Sequence, residues 1–109
     1  MKAKPLKRDD NVYRQCEPSE ATHVKLHVPG PYPYRIIPVI IKGTRDGTPC
    51  WTWNGDVDRP TLKPSILTRA SEGWPKCHSF VTDGRIQFLP DSGHELAGQT
   101  LDLLDVDDE

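Results

Sequence analysis

Four residues close together in the second half of the chain carry side chains that ligate metals or transfer protons. Cys77, His78, Asp91 and His94 offer thiolate, imidazole and carboxylate groups within eighteen residues. Zinc in proteins takes these donor types, usually as four ligands in a tetrahedron. The cluster therefore predicts a site for one zinc ion, with Cys77, His78 and His94 as its metal ligands.

The number of protein ligands decides what such a zinc does. A three-ligand site, His78 with His94 and either Cys77 or Asp91, leaves a position for water, as catalytic zinc sites do. Glu95 and Asp91 are then the candidate catalytic residues, and Glu95 follows a ligand as a general base for that water. A four-ligand site requires an irregular strand start, because neighbouring residues on a regular strand point to opposite faces.

The same side chains also suit a reaction without metal. Cys77 is then the nucleophile, His94 its base and Asp91 the group that orients the base, as in a catalytic triad. Ser65 is a further candidate nucleophile. The sequence leaves the zinc-dependent and metal-free mechanisms open.

A β-hairpin is predicted to position these residues. Asp83-Gly84 is a preferred two-residue turn, because a type I′ turn needs positive φ at both central positions. Pro90 ends the second strand, since it cannot donate to a ladder. Asp91 then caps a short helical turn over residues 92–97, which returns His94 towards His78. Side-chain alternation gives the predicted core face of the hairpin, Cys77, Ser79, Val81, Ile86 and Phe88.

A second region, residues 53–65, is predicted to bind substrate. An exposed Trp53 suits an extended peptide that pairs with a sheet edge, although the core is the more usual place for Trp51 or Trp53. Asn54 begins a turn with Gly55, and Thr61 and Ser65 flank Pro64 along a predicted cleft. Trp53, Asn54 and Thr61 are therefore the candidate substrate-binding residues.

The rest of the chain predicts a mainly β fold, a small antiparallel sheet, sandwich or open barrel with one short helical turn after the central hairpin. Further strands are predicted over residues 21–28, 34–42, 50–53, 65–69 and 99–104, a spacing typical of sandwiches and barrels. Pro38 predicts an edge strand or a bulge. Residues 1–20 are predicted to be irregular, 21–104 to form a single β-rich domain, and 105–109 to be an acidic tail.

Composition narrows the possible partners. A chain of 109 residues with a net charge of −2 predicts one domain without a nucleic-acid partner. No apolar run approaches the roughly 20 residues that span a bilayer, and no signal peptide is apparent, so a cytoplasmic protein without membrane contact is expected. Three widely spaced cysteines argue against a disulfide framework.

Residues 50–104 contain a series of short motifs: Trp53-Asn54-Gly55, Pro60-Thr61, Pro64-Ser65, Cys77-His78, Asp83-Gly84-Arg85-Ile86, Asp91-x-x-His94 and Leu96-Ala97-Gly98-Gln99-Thr100. They resemble a family of small phage and bacterial proteins often labelled "ammonia monooxygenase", a label that no feature of this soluble-looking chain supports. Some bacterial members accompany ubiquitin-like conjugation systems as peptidases. Members often carry cysteine at the position of Ser92.

The resemblance implies a peptidase that acts on ubiquitin-like or other protein C-terminal tails, with Cys77, His78, Asp91 and His94 at its site. For a phage-encoded member, the implied location is the host cytoplasm. Two alternatives remain from the residues themselves. One is a non-catalytic protein-binding domain, with or without a stabilising zinc, and the other is a metal-free Cys-His hydrolase.

Overall fold

A computed structural model of the chain describes residues 1–30, 34–41, 50–73 and 75–106. Within these ranges the fold is mainly β, as predicted, and the strands form one sheet in the order β2-β1-β3-β4-β5-β6-β7-β8-β9. The strands are β1 (Ala3–Asp9), β2 (Val12–Gln15), β3 (His23–His27), β4 (Tyr34–Ile40), β5 (Trp51–Trp53), β6 (Leu62–Thr68), β7 (Cys77–Thr82), β8 (Arg85–Phe88) and β9 (Thr100–Asp102).

The N-terminal segment is ordered, so the prediction of an irregular stretch over residues 1–20 was wrong. β1 and β2 form an antiparallel hairpin, and β1 also pairs with β3. A 3-10 helix follows at Pro18–Glu20. All four residues of β2 are exposed, so the strand has no buried face and shows no alternation of apolar and polar side chains.

β3 confirms the predicted alternation, whereas β4 does not lie at the sheet edge that its proline predicts. Val24 and Leu26 of β3 are buried. The alternate residues, His23, Lys25 and His27, are half-buried. β4 lies inside the sheet, which contradicts the edge strand expected from Pro38, and it pairs with β5 in parallel. Pro38 is the last residue of β4 to pair with β3, and Val39 is the first to pair with β5. The missing N–H of proline therefore falls where one partner replaces the other.

The β7–β8 hairpin forms with the predicted turn and register. Ser79 pairs with Phe88 and Thr82 with Arg85. Asp83 and Gly84 have φ values of 50° and 77°, the positive angles that a type I′ turn requires. The Gly84 N–H donates to the carbonyl of Pro60, so the hairpin tip is fastened to the loop before β6.

The segment after the hairpin contains turns in place of the predicted short helix. The Gly93 N–H donates across the hairpin to the carbonyl of Lys76 at 2.8 Å, and the Ser92 N–H donates to Leu89 at 3.0 Å. The Gly93 bond extends the hairpin beyond β8. The Ser92 bond, and the bond from the Ala97 N–H to the His94 carbonyl at 3.1 Å, close single turns that do not continue into a helix. The helix described in this chain lies at Pro18–Glu20, well before the hairpin.

The sheet curls around one core, because the C-terminal segment returns to the N-terminal strands. Leu104 forms a bridge with His27 of β3, and the Val106 N–H donates to the Met1 carbonyl. Trp53 and Phe88 are among the largest fully buried side chains of this core. Val106 is also buried, so the predicted acidic tail is packed at its start, while residues 107–109 lie outside the described part of the chain.

Candidate active site

Three polar side chains from separate segments form a continuous hydrogen-bonded chain. Nε2 of His78 lies 3.1 Å from Oγ of Ser65. On the other side of the ring, Nδ1 lies 3.1 Å from Oδ2 and 3.2 Å from Oδ1 of Asp91. The order hydroxyl, imidazole, carboxylate is that of a serine hydrolase triad.

An irregularity in β6 places Ser65 next to His78. Ile66 pairs with Ser79 and Leu62 with Val81, so β6 takes four steps along the chain where β7 takes two. Such bulges re-aim side chains and are common next to active sites. The indole N–H of Trp51 on β5 donates to the Ser65 carbonyl at 3.1 Å, which holds the backbone of the serine from the neighbouring strand.

His78 lies on the outer face of β7, opposite the core face that Cys77 and Ser79 share. It pairs with Leu67 of β6, so Ser65 is its diagonal neighbour across the two strands. The backbone of His78 is held by Ser92. The Ser92 hydroxyl accepts from the His78 N–H and donates to the His78 carbonyl, each at 3.0 Å. Position and direction of the imidazole are thereby set by the sheet and by the turn after it.

Asp91 joins His78 to the ammonium group of Lys76. Oδ2 of Asp91 lies 2.8 Å from Nζ of Lys76, which precedes β7. The hydrogen bonds from Lys76 and then His78 lower the pKa of Asp91 below its ordinary value. Asp91 is therefore an anion at neutral pH, and its side chain is about half exposed, with a relative accessibility of 48%.

The two contacts of the imidazole define which nitrogen carries the proton. A carboxylate only accepts hydrogen bonds, so Nδ1 of neutral His78 donates to Asp91. Nε2 is then the unprotonated nitrogen, and it faces the Ser65 hydroxyl. This arrangement can withdraw a proton from Ser65 and stabilise the imidazolium that results.

The residues predicted to bind zinc do not converge. The His94 ring packs edge-on against Phe88 at 4.8 Å between centroids, on the core side of the hairpin, whereas His78 is on the outer side. Cys77 is buried, and burial raises the pKa of its thiol. Within the described ranges, no group of three or more His, Cys, Asp or Glu side chains is placed to hold a metal ion. The present donors do not fit the four-ligand or three-ligand site, and zinc stays a prediction of the sequence.

The metal-free cysteine mechanism also lacks its contacts. Asp91, the residue expected to orient His94, hydrogen-bonds to His78 instead. Nδ1 of His94 accepts from the Leu96 N–H at 3.3 Å. Glu95 lies beside His94 along an open pocket with Gly30 and Leu96, so it is not part of the Ser65–His78–Asp91 chain.

The predicted substrate-binding residues have structural contacts. Trp53 is fully buried, and its indole N–H donates to the Asp56 carbonyl, which confirms the core alternative and contradicts the predicted substrate-binding role of Trp53. The Asn54 side chain accepts from the Thr61 N–H and donates to the Arg59 carbonyl, so it organises the loop between β5 and β6. The Thr61 hydroxyl accepts from the N–H of Asp83 at the hairpin tip.

Three supporting residues were missed from the sequence: Trp51, Lys76 and Ser92. Each acts through a partner that is distant in sequence, so no local motif marks it. In the sequence, Ser92 belongs to the predicted turn, and members of the family that the motifs resemble often carry cysteine at its position. Lys76 precedes the Cys77-His78 pair, and its nearness to Asp91 follows from the hairpin register rather than from sequence spacing.

Comparison with protein families gives a match over part of the chain. A family model described as bacterial ubiquitination-like system serine protease (BubE) matches residues 36–89. This stretch runs from within β4 to the residue after β8, and it includes Ser65 and His78. No curated protein and no solved structure matches the chain. The match suggests a protease associated with bacterial ubiquitination-like systems.

The described part of the chain has no helix long and apolar enough to cross a membrane.

Proposed function

We propose that this protein is a serine protease in which Ser65 is the nucleophile, His78 the general base and Asp91 the residue that orients the base. The observation that carries the proposal is the unbroken series of contacts from Ser65 Oγ through the imidazole to the Asp91 carboxylate. The family description supports it independently, since it names a serine protease.

The proposed reaction is acyl transfer in two stages. His78 Nε2 takes the Ser65 proton as Oγ attacks the carbonyl carbon of the scissile peptide bond. The imidazolium then gives that proton to the leaving amine, and an ester forms between Ser65 and the acyl part of the substrate. Water, deprotonated by His78, hydrolyses the ester and restores the serine. Asp91 stays ionised throughout, and it stabilises the charged imidazole.

The proposed substrate is a polypeptide of a ubiquitination-like system. The description of the matching family supports this context, and the motif resemblance supports cleavage at a ubiquitin-like or other protein C-terminal tail. Neither zinc nor Cys77 takes part in the proposed steps. Cys77 faces the core, and the imidazole nearest to Asp91 is that of His78 rather than His94.

A serine-directed fluorophosphonate tests the nucleophile without knowledge of the substrate. The reagent is expected to label the wild-type protein at Ser65, as located by mass spectrometry of proteolytic fragments. Ser65→Ala should abolish labelling, and His78→Ala should slow it by at least about 1,000-fold, because the serine loses its base. Ser19→Ala, a change at an exposed serine in the 3-10 helix, is the matched control and should label as wild type.

Two further arms separate the alternatives. Labelling in the presence of a zinc chelator should match labelling without it, and Cys77→Ala should still be labelled. Loss of labelling on chelation, together with zinc found in the purified protein, would replace the serine mechanism with the zinc mechanism. Wild-type protein that is folded but never labelled would end the proposal.

A further inference from the structure

An open groove of about 620 Å³ lies on the same face of the sheet as the Ser65–His78 pair. Its floor includes Phe80 and Thr82 of β7 with Arg85 and Gln87 of β8. Side chains at alternate positions of a strand share a face, so Phe80 and Thr82 continue the outer face on which His78 lies. The groove volume is within the roughly 300–1,000 Å³ that ligand-binding clefts occupy.

The groove begins on the strand that carries the proposed base. Phe80, which lines the groove, lies two residues after His78 on the same face of β7, and Nε2 of His78 lies 3.1 Å from Oγ of Ser65. The Phe80 side chain is 41% exposed, although the aromatic ring would be expected in the core. An exposed aromatic ring on the same strand face as the proposed base is available to a side chain of a bound substrate.

The far end of the groove has a wall of charged residues. Lys2, Asp58 and Arg59 line that end, and a Cβ at Gly84 of the hairpin tip would come within 3.1 Å of the Asp58 carbonyl oxygen. From Phe80 to Asp83 the strand advances about 10 Å, at roughly 3.3 Å per residue. From Phe80 to the wall, the groove is therefore long enough for about three residues of extended polypeptide.

The charges along the groove are mixed. Arg85 is paired with Asp102 of β9 at 3.2 Å, and Asp58 is 4.0 Å from the Met1 ammonium group. Arg59 stands at the wall with an exposed side chain. Such a lining suits a polar polypeptide with one apolar side chain better than it suits an apolar small molecule or a membrane.

We infer that this groove is the substrate-binding site, and that it holds about three residues of an extended polypeptide on one side of the scissile bond. An apolar side chain of the substrate contacts Phe80 within two residues of the bond, and a polar or charged side chain reaches Arg59 about three residues away. The inference rests on the proposed serine protease function. It replaces the predicted binding role of Trp53, which is buried.

A library of synthetic 14-residue peptides with varied sequence is the probe, incubated with the full chain and analysed by mass spectrometry. The wild-type protein should cut peptides that carry an apolar residue within two positions of the cleaved bond. Phe80→Ala should reduce kcat/KM for those peptides at least about ten-fold, through KM, because apolar contact area is lost. Arg59→Glu should shift the preference about three positions away towards basic residues, by about two- to five-fold.

Two variants on the exposed strand β2 are matched controls, Val12→Ala for Phe80→Ala and Arg14→Glu for Arg59→Glu. Both should give the wild-type cleavage profile. If Phe80→Ala and Arg59→Glu also give that profile while cleavage depends on Ser65, the groove inference is wrong and the protease proposal stands.

Labelling of Ser65 by fluorophosphonate without cleavage of any peptide would also overturn the groove as a polypeptide site. Absence of both labelling and cleavage in folded protein would overturn the protease proposal, and the groove inference would fall with it. The two failures are therefore distinguishable.

Discussion

The hydroxyl of Ser92 holds the backbone of His78 at both of its polar groups. It accepts from the His78 N–H and donates to the His78 carbonyl, each at 3.0 Å. Ser92 is itself buried, and its own N–H donates to Leu89. The turn after the hairpin thus fixes the position of the proposed base. The Ser92 hydroxyl does this through the His78 backbone, and its hydrogen bonds do not go to the side chains of Ser65 or Asp91.

Ser92→Ala is expected to lower both stability and turnover. The His78 N–H loses its acceptor, and a buried donor without a partner costs about 1–3 kcal/mol. The His78 carbonyl still accepts from the Leu89 N–H, so the strand end remains attached. Thermal unfolding and the rate of fluorophosphonate labelling measure the two effects, and Ser19→Ala is the control. A normal labelling rate alongside lowered stability would limit Ser92 to a structural role.

His78→Ala and His94→Ala should separate function from packing. His78 is bound to Ser65 and Asp91, so its loss should reduce activity at least about 1,000-fold. His94 packs on Phe88, so its loss should chiefly lower the melting temperature. Labelling or peptide cleavage at 20 °C, measured beside thermal unfolding, tests this contrast. If His94→Ala lost as much activity as His78→Ala and also lost bound zinc, the zinc prediction would hold.

Stability should depend on the ionisation of Asp91. Its pKa is lowered in the folded protein by hydrogen bonds from Lys76 and His78. A lowered folded-state pKa stabilises the fold above the unfolded-state value, about 3.9, and this stabilisation is lost as the pH falls through the folded-state value. Asp91→Asn should therefore melt below wild type at pH 7, and the difference should shrink towards about pH 2.5.

Lys76→Met provides the comparison for the Asp91 prediction. It removes the first of the two hydrogen bonds to the carboxylate and leaves His78 in place. Its melting curve at pH 7 should lie between those of wild type and Asp91→Asn. A difference between wild type and Asp91→Asn that stayed constant from about pH 2.5 to 8 would show that ionisation of Asp91 does not stabilise the fold.

Gly84→Ala should destabilise the protein more than Gly73→Ala does. Both glycines have positive φ, 77° and 81°, so each alanine meets a backbone penalty of about 1–2 kcal/mol. At Gly84 the added Cβ also comes within 3.1 Å of the Asp58 carbonyl, whereas at Gly73 no neighbouring atom of the described residues lies within 4 Å. Chemical denaturation of both variants gives the difference. Equal losses would show that the loop at Asp58 yields without cost.

The sequence predicts the elements whose side chains alternate or whose turn chemistry is specific. Asp83-Gly84 determines the hairpin and its register, and Val24 and Leu26 mark β3 by their alternation. The first hairpin was missed because β2 is exposed along its whole length. The expected helical turn was wrong because the Gly93 N–H has a partner across the hairpin, at Lys76, which a local pattern does not reveal.

The sequence predicts which residues belong to the candidate site better than it predicts the contacts between them. Asp91 and His78 were both placed at the open end of the hairpin, and Ser65 was named as a possible nucleophile. Their contact depends on how β6 pairs with β7, which is a long-range relation with an irregular register. His94 was expected near His78 from its spacing, but the ring packs on the core side against Phe88.

The irregular pairing between Leu62 and Ile66 has a consequence for how activity is acquired during refolding. The proposed nucleophile and base stand on adjacent strands, and slippage by one residue would turn Ser65 towards the opposite face. A refolded chain in which this pairing is misaligned would have the native circular dichroism spectrum of its β-sheet but no activity. Enzymatic recovery after denaturation thus reports on strand alignment, which bulk measures of secondary structure do not resolve.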